Sequence, residues 1–340
     1  MFILNILLLT CIIFLYFCII LLSSLYNFEF LKKATILLGK TKRKLTEKIE
    51  NIELKKYGPR LTLSVHTISG EAYKDDDREG TIVILPGLDD SVFHYETAFN
   101  YFRTYNPEWG ILGIDLRGQG KTRDDEGNIY SSKITLEEQT EILDQILEKN
   151  KIDSAFIVGL SYGGGVALQY AKDYPARVLG LGLIAPYVTN FKAYKAGLTG
   201  IYYGLSFYNP FYKMLSKYSL PPYFMSAKIK GRLNPQTNWT SQRMKALSKL
   251  TMGILDLNTD KVLDEMTYLP IGIHLLTACQ DTVVPIAAHR HFYNRIPKNI
   301  LKSFSLEDGI GHRVLQQHPK QASMWIHRLL LEYSELEKKA

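Results

Sequence analysis

The pentapeptide at residues 159–163, G-L-S-Y-G, could supply a nucleophile for covalent chemistry. It lies between an apolar run at residues 155–158 that predicts a strand and a stretch at residues 165–172 that predicts an amphipathic helix. A sharp strand-to-helix turn holds its serine in strained backbone, and the flanking glycines keep other side chains away. We therefore predict that Ser161 is an exposed nucleophile.

A serine hydroxyl is a weak nucleophile until a base takes its proton, and that base needs a carboxylate to orient it. Both groups follow later apolar runs in this chain. Asp281 comes after the run at residues 271–278, and His312 comes after the run at residues 301–306. Because loops at the carboxyl ends of parallel strands converge on one crevice, we predict that Ser161, Asp281 and His312 form a catalytic triad.

An attacked carbonyl develops negative charge, which backbone N–H groups can stabilise in an oxyanion hole. The apolar run at residues 81–85 leads into P-G-L-D-D at residues 86–90, where the glycine permits a tight turn that leaves amides free. We assign the two oxyanion donors to the N–H groups of Leu88 and Tyr162. Asp115 and Arg117, in the segment D-L-R-G-Q-G-K-T, are assigned to the scaffold around the site.

These segments together resemble the α/β-hydrolase superfamily, and within it the group of monoacylglycerol lipases, lysophospholipases and related esterases. The resemblance rests on P-G-L, D-L-R-G-Q-G-K-T, G-L-S-Y-G-G, D-T-V-V-P and G-H, and it spans roughly residues 60–335. The turn commonly written H-G-x has Pro86 in place of histidine, and Tyr162 follows the nucleophile where lipases often have Met or Gln. Since both oxyanion donors are backbone amides, neither departure removes a catalytic group. The serine nucleophile makes the haloalkane dehalogenases and epoxide hydrolases of the superfamily poor matches.

Strand-like and helix-like segments alternate along the chain, which predicts an α/β-hydrolase fold whose mostly parallel sheet is covered by helices on both faces. Helices are expected at residues 135–149 and 320–338, the second packing Trp325, Leu329 and Leu330 on the sheet. The strand-like runs lie at residues 61–68, 81–85, 111–114, 155–158, 178–184, 271–278 and 301–306.

The connection between residues 186 and 269 is too long for a simple loop, and long insertions of this kind are usually functional lids. We predict a helical cap at about residues 187–268. Residues 187–224 hold eight tyrosines and four phenylalanines. Most of these rings would form the core of the cap, and a minority would line an acyl-chain pocket.

The first 26 residues carry no charged side chain and are rich in Ile, Leu and Phe. A helix of that length, at about 1.5 Å per residue, crosses the ~30 Å hydrocarbon core of a bilayer. We predict an uncleaved, single-pass transmembrane anchor at residues 1–26. The alternative is a cleaved signal peptide, but the sequence shows neither a basic n-region nor an A-x-A-like cleavage site.

Basic residues follow the apolar span and none precedes it, a bias that keeps the following domain in the cytoplasm. Residues 27–57 hold nine Lys and Arg against four Glu, a balance of +5 out of +7 for the whole chain. We predict a basic juxtamembrane linker at residues 27–57 that either contacts anionic lipid headgroups or is merely solvated. The hydrolase domain then occupies residues 58–340. Because this charge does not cover a folded face, we expect no nucleic-acid partner.

The cysteines and histidines suggest neither a disulfide nor a metal site. Two of the three cysteines lie in the predicted anchor, and Cys279 lies near a strand end. His289 and His291 are two positions apart, so they face different sides of a helix. We predict no metal and no cofactor. His94, just after the oxyanion turn, is a candidate for the rim of the pocket.

The sequence predicts a membrane-anchored serine hydrolase that cleaves carboxylic esters, of lipid-like monoacyl substrates, through an acyl-enzyme intermediate. A small amphiphilic ester and membrane lipid are its expected partners. A thioesterase, an amidase or aminopeptidase, and a perhydrolase use the same triad and stay open as alternatives. A catalytically silent scaffold on the same fold is the alternative outside enzymes, and the presence of all three triad residues disfavours it.

Overall fold

The chain divides into two units, Met1–Lys44 and Leu45–Ala340, and only the second contains described residues. The predicted anchor at residues 1–26 and most of the predicted cap lie outside the described residues. No helix in the part of the chain that is described has both the length and the apolar character needed to span a membrane. The computed structural model describes residues 45–54, 61–70, 80–124, 134–188, 241–266, 268–270, 272–281 and 283–337.

The described residues build one nine-stranded sheet with the order β1-β2-β4-β3-β6-β7-β8-β9, in which β5 pairs with β2. In this order, each neighbouring pair from β4 to β9 is parallel. The pairs β1–β2, β2–β4 and β2–β5 are antiparallel. The strands are β1 Thr46–Leu54, β2 Leu61–Gly70, β3 Gly80–Leu85, β4 Trp109–Ile114, β5 Arg123–Asp124, β6 Ala155–Leu160, β7 Val178–Ile184, β8 Ile273–Ala278 and β9 Lys302–Glu307.

Helices and short 3₁₀ turns connect these strands. Thr135 begins one of them with a capping box, because its hydroxyl accepts from the N–H of Glu138 and the Glu138 carboxylate accepts from the N–H of Thr135. The 3₁₀ turns are Val92–Tyr95 and Pro175–Arg177. The helices are α1 Glu96–Tyr105, α2 Leu136–Lys149, α3 Tyr162–Asp173, α4 Ser241–Ile254, α5 Thr259–Glu265, α6 Ile286–Arg295, α7 Val314–Gln317 and α8 Pro319–Glu337.

Alternate residues of the central strands bury into two different core clusters. Val83 and Ile157 belong to the cluster covered by α2 to α6, whereas Ile82 and Phe156 belong to the one covered by α1 and α8. Since side chains alternate between the faces of a strand, the two clusters lie on opposite faces of the sheet. Trp325, Leu329 and Leu330 of α8 are buried in the second cluster, as the sequence predicts. The predicted α/β layers are therefore confirmed.

Residues 46–54 differ from the sequence prediction, because they form β1 inside the segment assigned to the basic linker. Ile52 and Leu54 are buried in the core, whereas Ile49 is 58% exposed on this edge strand. All nine residues pair with β2. Charged side chains on the exposed face hid the alternation of this strand. The unit that contains the sheet therefore includes residues 45–54, which the sequence analysis placed in the linker.

The described part of the predicted cap consists of α4 and α5. Leu250, Ile254 and Leu257 are buried in the larger core cluster. A Cβ placed on Gly165 of α3 would lie 2.7 Å from Cδ1 of Ile254. The carboxyl-terminal part of the predicted cap therefore packs directly on the helix that follows Ser161.

Candidate active site

Ser161 lies in a tight turn between β6 and α3. Its φ of 50° lies in the left-handed region, which is strained for a residue with a side chain. The neighbouring glycines are required by close backbone contacts. A Cβ on Gly159 would lie 2.4 Å from the carbonyl oxygen of Gly163, and a Cβ on Gly163 would lie 2.5 Å from the carbonyl oxygen of Leu85. Only glycine therefore lets α3 begin this close to the ends of β3 and β6.

The backbone of Ser161 is held by the chain that leaves β7. Its N–H donates to the carbonyl of Ile184 at 2.9 Å, and its own carbonyl accepts from the N–H of Tyr187 at 2.9 Å. Ser161 is only 7% exposed. The nucleophile expected to be exposed is thus largely buried, because the segment after β7 and the turn after β3 surround it.

Asp281 and His312 lie in the loops after β8 and β9, at the same edge of the sheet. Oδ2 of Asp281 lies 2.8 Å from Nδ1 of His312. The Asp281 side chain is fully shielded from solvent, and that of His312 is 19% exposed. The two loops are also joined by the N–H of Cys279, which donates to the carbonyl of Glu307 at 2.9 Å. The structure therefore brings together two of the three predicted triad residues in a direct hydrogen bond.

The electrostatic surroundings of Asp281 favour its charged form. Oδ1 accepts from the N–H groups of Val283 at 2.7 Å and Val284 at 2.9 Å. Burial alone would raise the pKa of Asp281, but the hydrogen bond and charge of His312, together with these N–H groups, hold it below its usual value. A carboxylate in this state accepts the Nδ1 proton of His312.

The turn after β3 lies against Ser161. The N–H of Asp90 donates to the carbonyl of Gly87 at 3.2 Å, and Asp89 has a positive φ of 62°. A Cβ built on Gly87 would lie 3.6 Å from Cβ of Ser161. Leu88, the next residue, is half-buried and packs on the larger core cluster. One predicted oxyanion donor thus follows directly on a residue that contacts the nucleophile.

The other predicted donor is the N–H of Tyr162, which is the first residue of α3. N–H groups in the first turn of a helix have no partner within that helix, which suits the predicted role of this one as an oxyanion donor. The Tyr162 side chain is buried, and its hydroxyl accepts from Nε2 of Gln139 at 3.1 Å. Burial raises the pKa of the Tyr162 phenol, so the hydroxyl stays neutral.

Asp115 and Arg117 act on the scaffold, as assigned from the sequence. The buried Asp115 carboxylate accepts from the Ser91 hydroxyl at 2.7 Å and the Val92 N–H at 2.8 Å. Burial raises its pKa despite these bonds. Arg117 is equally buried, and its guanidinium lies 3.2 Å from the carboxylate of Asp124. Both residues hold the segments around the oxyanion turn.

The structure orders a second histidine, His289, which the sequence analysis considered only as half of a metal pair with His291 and set aside. Nε2 of His289 lies 3.0 Å from the carbonyl of Pro186, and Nδ1 lies 3.1 Å from the hydroxyl of Thr277. A carbonyl only accepts, so Nε2 carries the proton and Nδ1 accepts from Thr277. Burial lowers the pKa of His289 to about 4. His291 is exposed, which confirms that the two histidines face different sides of α6.

Two further residues bind the predicted oxyanion turn, and the sequence analysis assigned a role to neither. Gln119 donates from Nε2 to the carbonyl of Gly87 at 2.8 Å, and the hydroxyl of Tyr95 donates to Asp90 at 2.8 Å. The Gln119 contact joins residues 32 positions apart and therefore has no local pattern. In the described ranges, no group of three His, Cys, Asp or Glu side chains is placed to hold a metal ion.

Residues 76–318 match the family described as serine aminopeptidase, S33. The chain belongs to this family. It is therefore a serine hydrolase of the α/β-hydrolase superfamily, as the sequence motifs predict.

Solved structures share this fold at low identity. MGS-M2, an α/β hydrolase from a Medee basin deep-sea metagenome library, is 18% identical with a TM-score of 0.60, over 79% of this chain and 94% of that one. A thermophilic esterase from Thermogutta terrifontis is 15% identical with a TM-score of 0.58, over 84% and 99%. A membrane phospholipase A, described as a bacterial virulence factor, is 15% identical with a TM-score of 0.57, over 94% and 98%. These likenesses show the fold alone and confirm the predicted α/β-hydrolase architecture.

One curated relative matches over a short stretch. The dihydrolipoyllysine-residue acetyltransferase component of the acetoin cleaving system of Cupriavidus necator is 33% identical over 76 residues. These residues are 22% of this chain and 19% of that protein. The chain thus spans about a fifth of the length of that relative, too little to transfer its activity.

Proposed function

We propose that this protein is a membrane-anchored serine hydrolase that cleaves carboxylic esters through a covalent acyl-enzyme. The observation that carries the proposal is the strained backbone of Ser161 directly against the Gly87 turn. Strain of this kind is characteristic of a nucleophile held for attack. The hydrogen-bonded pair of Asp281 and His312 at the same sheet edge supports it.

In the proposed mechanism, Oγ of Ser161 attacks the ester carbonyl carbon while Nε2 of His312 takes its proton. The N–H groups of Leu88 and Tyr162 stabilise the oxyanion of the tetrahedral intermediate. The alcohol then leaves with the proton from His312, and the acyl group stays on the serine. Water, deprotonated by His312, attacks the acyl-enzyme, releases the carboxylic acid and restores the serine. Asp281 stabilises the imidazolium in both steps.

An aminopeptidase or amidase is the second candidate, because the matching family is described as serine aminopeptidase. The same triad would then release an amine rather than an alcohol. A panel of p-nitrophenyl esters, monoacylglycerols, lysophospholipids, acyl thioesters and amino-acyl amides separates these candidates. Faster turnover of amino-acyl amides than of every ester would favour the aminopeptidase.

The proposed substrate is a monoacyl amphiphile taken from a bilayer. Support comes from the uncharged, apolar residues 1–26 and from the basic residues 27–44, which suit an anionic membrane surface. The aromatic residues of the predicted cap suit an acyl chain. Protease protection in sealed vesicles should place the hydrolase domain on the cytoplasmic side. N-terminal sequencing should show that the mature chain begins before residue 26. A mature chain that starts beyond Tyr26 would instead identify a cleaved signal peptide.

Substitution of the nucleophile tests the proposed chemistry. Ser161→Ala should abolish labelling by a fluorophosphonate probe and nearly all ester hydrolysis, while circular dichroism shows an intact fold. The matched control is Ser64→Ala, since the Ser64 hydroxyl donates to Oδ1 of Asn51 in the outer part of the sheet. Full labelling of the Ser161→Ala protein would refute the assignment.

A further inference from the structure

The Asp90 carboxylate gathers hydrogen bonds from two separate loops of the candidate site. Oδ1 accepts from the N–H of Ser91 at 2.9 Å and lies 2.7 Å from Nδ1 of His94. Oδ2 accepts from the hydroxyl of Tyr95 at 2.8 Å and from Nε2 of Gln316. Asp90 is only 7% exposed, so these partners replace water around both of its oxygens.

The hydrogen bond from Tyr95 links Asp90 to the predicted oxyanion turn. The Tyr95 hydroxyl, which donates to Asp90, also accepts from the N–H of Gly87 at 3.4 Å. The N–H of Asp90 donates to the carbonyl of Gly87 at 3.2 Å, and Gln119 donates to that carbonyl at 2.8 Å. The N–H and the carbonyl of Gly87 are therefore both held by hydrogen bonds. The Leu88 N–H belongs to the same peptide group as this carbonyl, so its position is held as well. Burial and the charge of Asp90 raise the pKa of Tyr95, which keeps its proton in this bond.

The hydrogen bond from Gln316 links Asp90 to the loop that carries His312. Gln316 lies in α7, one helical turn after His312 and 226 positions from Asp90 in sequence. The N–H of Gln317 donates to the carbonyl of Arg313 at 2.9 Å, so the chain after His312 enters a hydrogen-bonded turn. Within the described residues, Oε1 of Gln316 is buried and has no hydrogen-bond partner. The amide of Gln316 is thus held through Nε2, by Asp90.

We propose that Asp90 is a positioning residue that couples the His312 loop to the oxyanion turn, with Gln316 as its partner on the histidine side. This inference rests on the proposed hydrolase function. Oxyanion donors act only when they lie 2.7–3.1 Å from the developing charge, so a small relative shift of the two loops lowers kcat. One buried carboxylate that binds both loops fixes the Leu88 N–H relative to the general base.

Exchange of the two partners tests the coupling in the full-length protein. Gln316→Glu places a second carboxylate against Asp90, where the two like charges repel each other and raise the pKa of one carboxyl. At about pH 8 this variant should lose about 10- to 100-fold in kcat with KM nearly unchanged, less than the loss of a whole oxyanion donor. Lowering the pH should relieve part of the defect, because one proton shared by the carboxyls restores a hydrogen bond. The double variant Asp90→Asn with Gln316→Glu rebuilds an amide–carboxylate pair in reverse. It should recover only part of the kcat, because an amide NH₂ group in the place of Oδ2 cannot accept from the Tyr95 hydroxyl.

Two readouts separate positioning from a merely structural role. Affinity for a trifluoromethyl ketone that forms a tetrahedral adduct should fall with kcat, whereas affinity for a non-reactive substrate analogue should not. The control is Gln317→Glu, an exposed change on the same helix, which should retain wild-type kcat. If Gln316→Glu lowers Tm below the assay temperature, Gln316→Leu decides instead, with the same fall in kcat expected.

A wild-type kcat in Gln316→Glu or, where that variant does not fold at the assay temperature, in Gln316→Leu would overturn the coupling. Ser161→Ala assayed in parallel keeps the two claims apart. If Ser161→Ala stays active, the proposed function fails. If it is inactive while Gln316→Glu is normal, only the positioning role of Asp90 fails.

Discussion

Nδ1 of His312 lies 2.8 Å from Oδ2 of Asp281, and the two residues are 31 positions apart in the chain. The other carboxylate oxygen accepts from the N–H groups of Val283 and Val284. Both carboxylate oxygens are therefore held by hydrogen bonds. Because a carboxylate only accepts, Nδ1 of the imidazole must be the donor. That tautomer leaves Nε2 unprotonated, the state a general base needs.

Asp281→Asn should therefore lower the catalytic rate severely. If the amide oxygen keeps the hydrogen bonds from the N–H groups of Val283 and Val284, the NH₂ group faces Nδ1 of His312. The imidazole would then adopt the wrong tautomer. We expect kcat to fall by about 10⁴, the loss seen on the same change in the best-studied triad. Steady-state ester hydrolysis measures it. The control is Asp308→Asn, since Asp308 is exposed on the next loop. Near-normal activity in the Asp281 variant, with loss in the control, would reassign the carboxylate to Asp308.

Gly163→Ala should destabilise the fold by several kcal/mol, since its Cβ would lie 2.5 Å from the backbone oxygen of Leu85 and cannot move away cheaply. Gly309→Ala is the matched control, because Gly309 has a φ of +70° but nothing within 4 Å of its Cβ position. The control should lose only the ~1–2 kcal/mol of left-handed strain. Denaturant unfolding gives both values, and equal losses would contradict the close-contact argument.

Stability should fall in mild acid because His289 is buried in its neutral form. Its folded pKa of about 4 is below its unfolded value of 6.5, so the unfolded chain binds a proton first as the pH drops. The stabilisation is complete above about pH 6.5 and is lost as the pH falls toward about 4, by up to about 3 kcal/mol. Urea unfolding between these pH values measures it.

Substitution of His289 isolates its share of this acid sensitivity. His289→Asn removes the titrating group, so unfolding free energy should depend less on pH over the same range, whatever the stability cost of the change itself. His291→Asn, on the exposed side of α6, should keep the wild-type slope. An unchanged slope in the His289 variant would show that other groups cause the acid loss.

The proposed substrate class predicts a rising chain-length series. Each methylene buried in an apolar pocket contributes about 0.8 kcal/mol, roughly fourfold in binding. We expect kcat/KM for monoacyl esters to rise from two to about ten carbons, provided this burial is realised in the transition state. p-Nitrophenyl esters of increasing length measure it. A flat or falling series would favour a short-chain esterase and would leave the triad assignment untouched.

The fold followed from local sequence because its signals are local. Apolar runs mark β3, β4 and β6 to β9, the Thr135 capping box marks the start of α2, and the glycines around Ser161 mark the turn between β6 and α3. The strand β1 was missed, because residues 27–57 carry nine Lys and Arg and the segment was assigned to a basic linker from its charge. The charged residues of this segment fit either a linker or an edge strand, and only its pairing with β2 identifies it as a strand.

The motifs also placed Ser161, Asp281 and His312 at the ends of strands, and these residues could be proposed as a triad from the order of the chain alone. Only the tertiary structure decided which polar groups meet. The contact of Asp90 with Gln316 across 226 positions, and the contact of His289 with the Pro186 carbonyl across 103, have no local pattern. Burial was likewise invisible in the sequence, yet it lowers the pKa of His289 and sets how far Ser161 lies from solvent. Such properties depend on which segments pack together, and packing is a property of the whole fold.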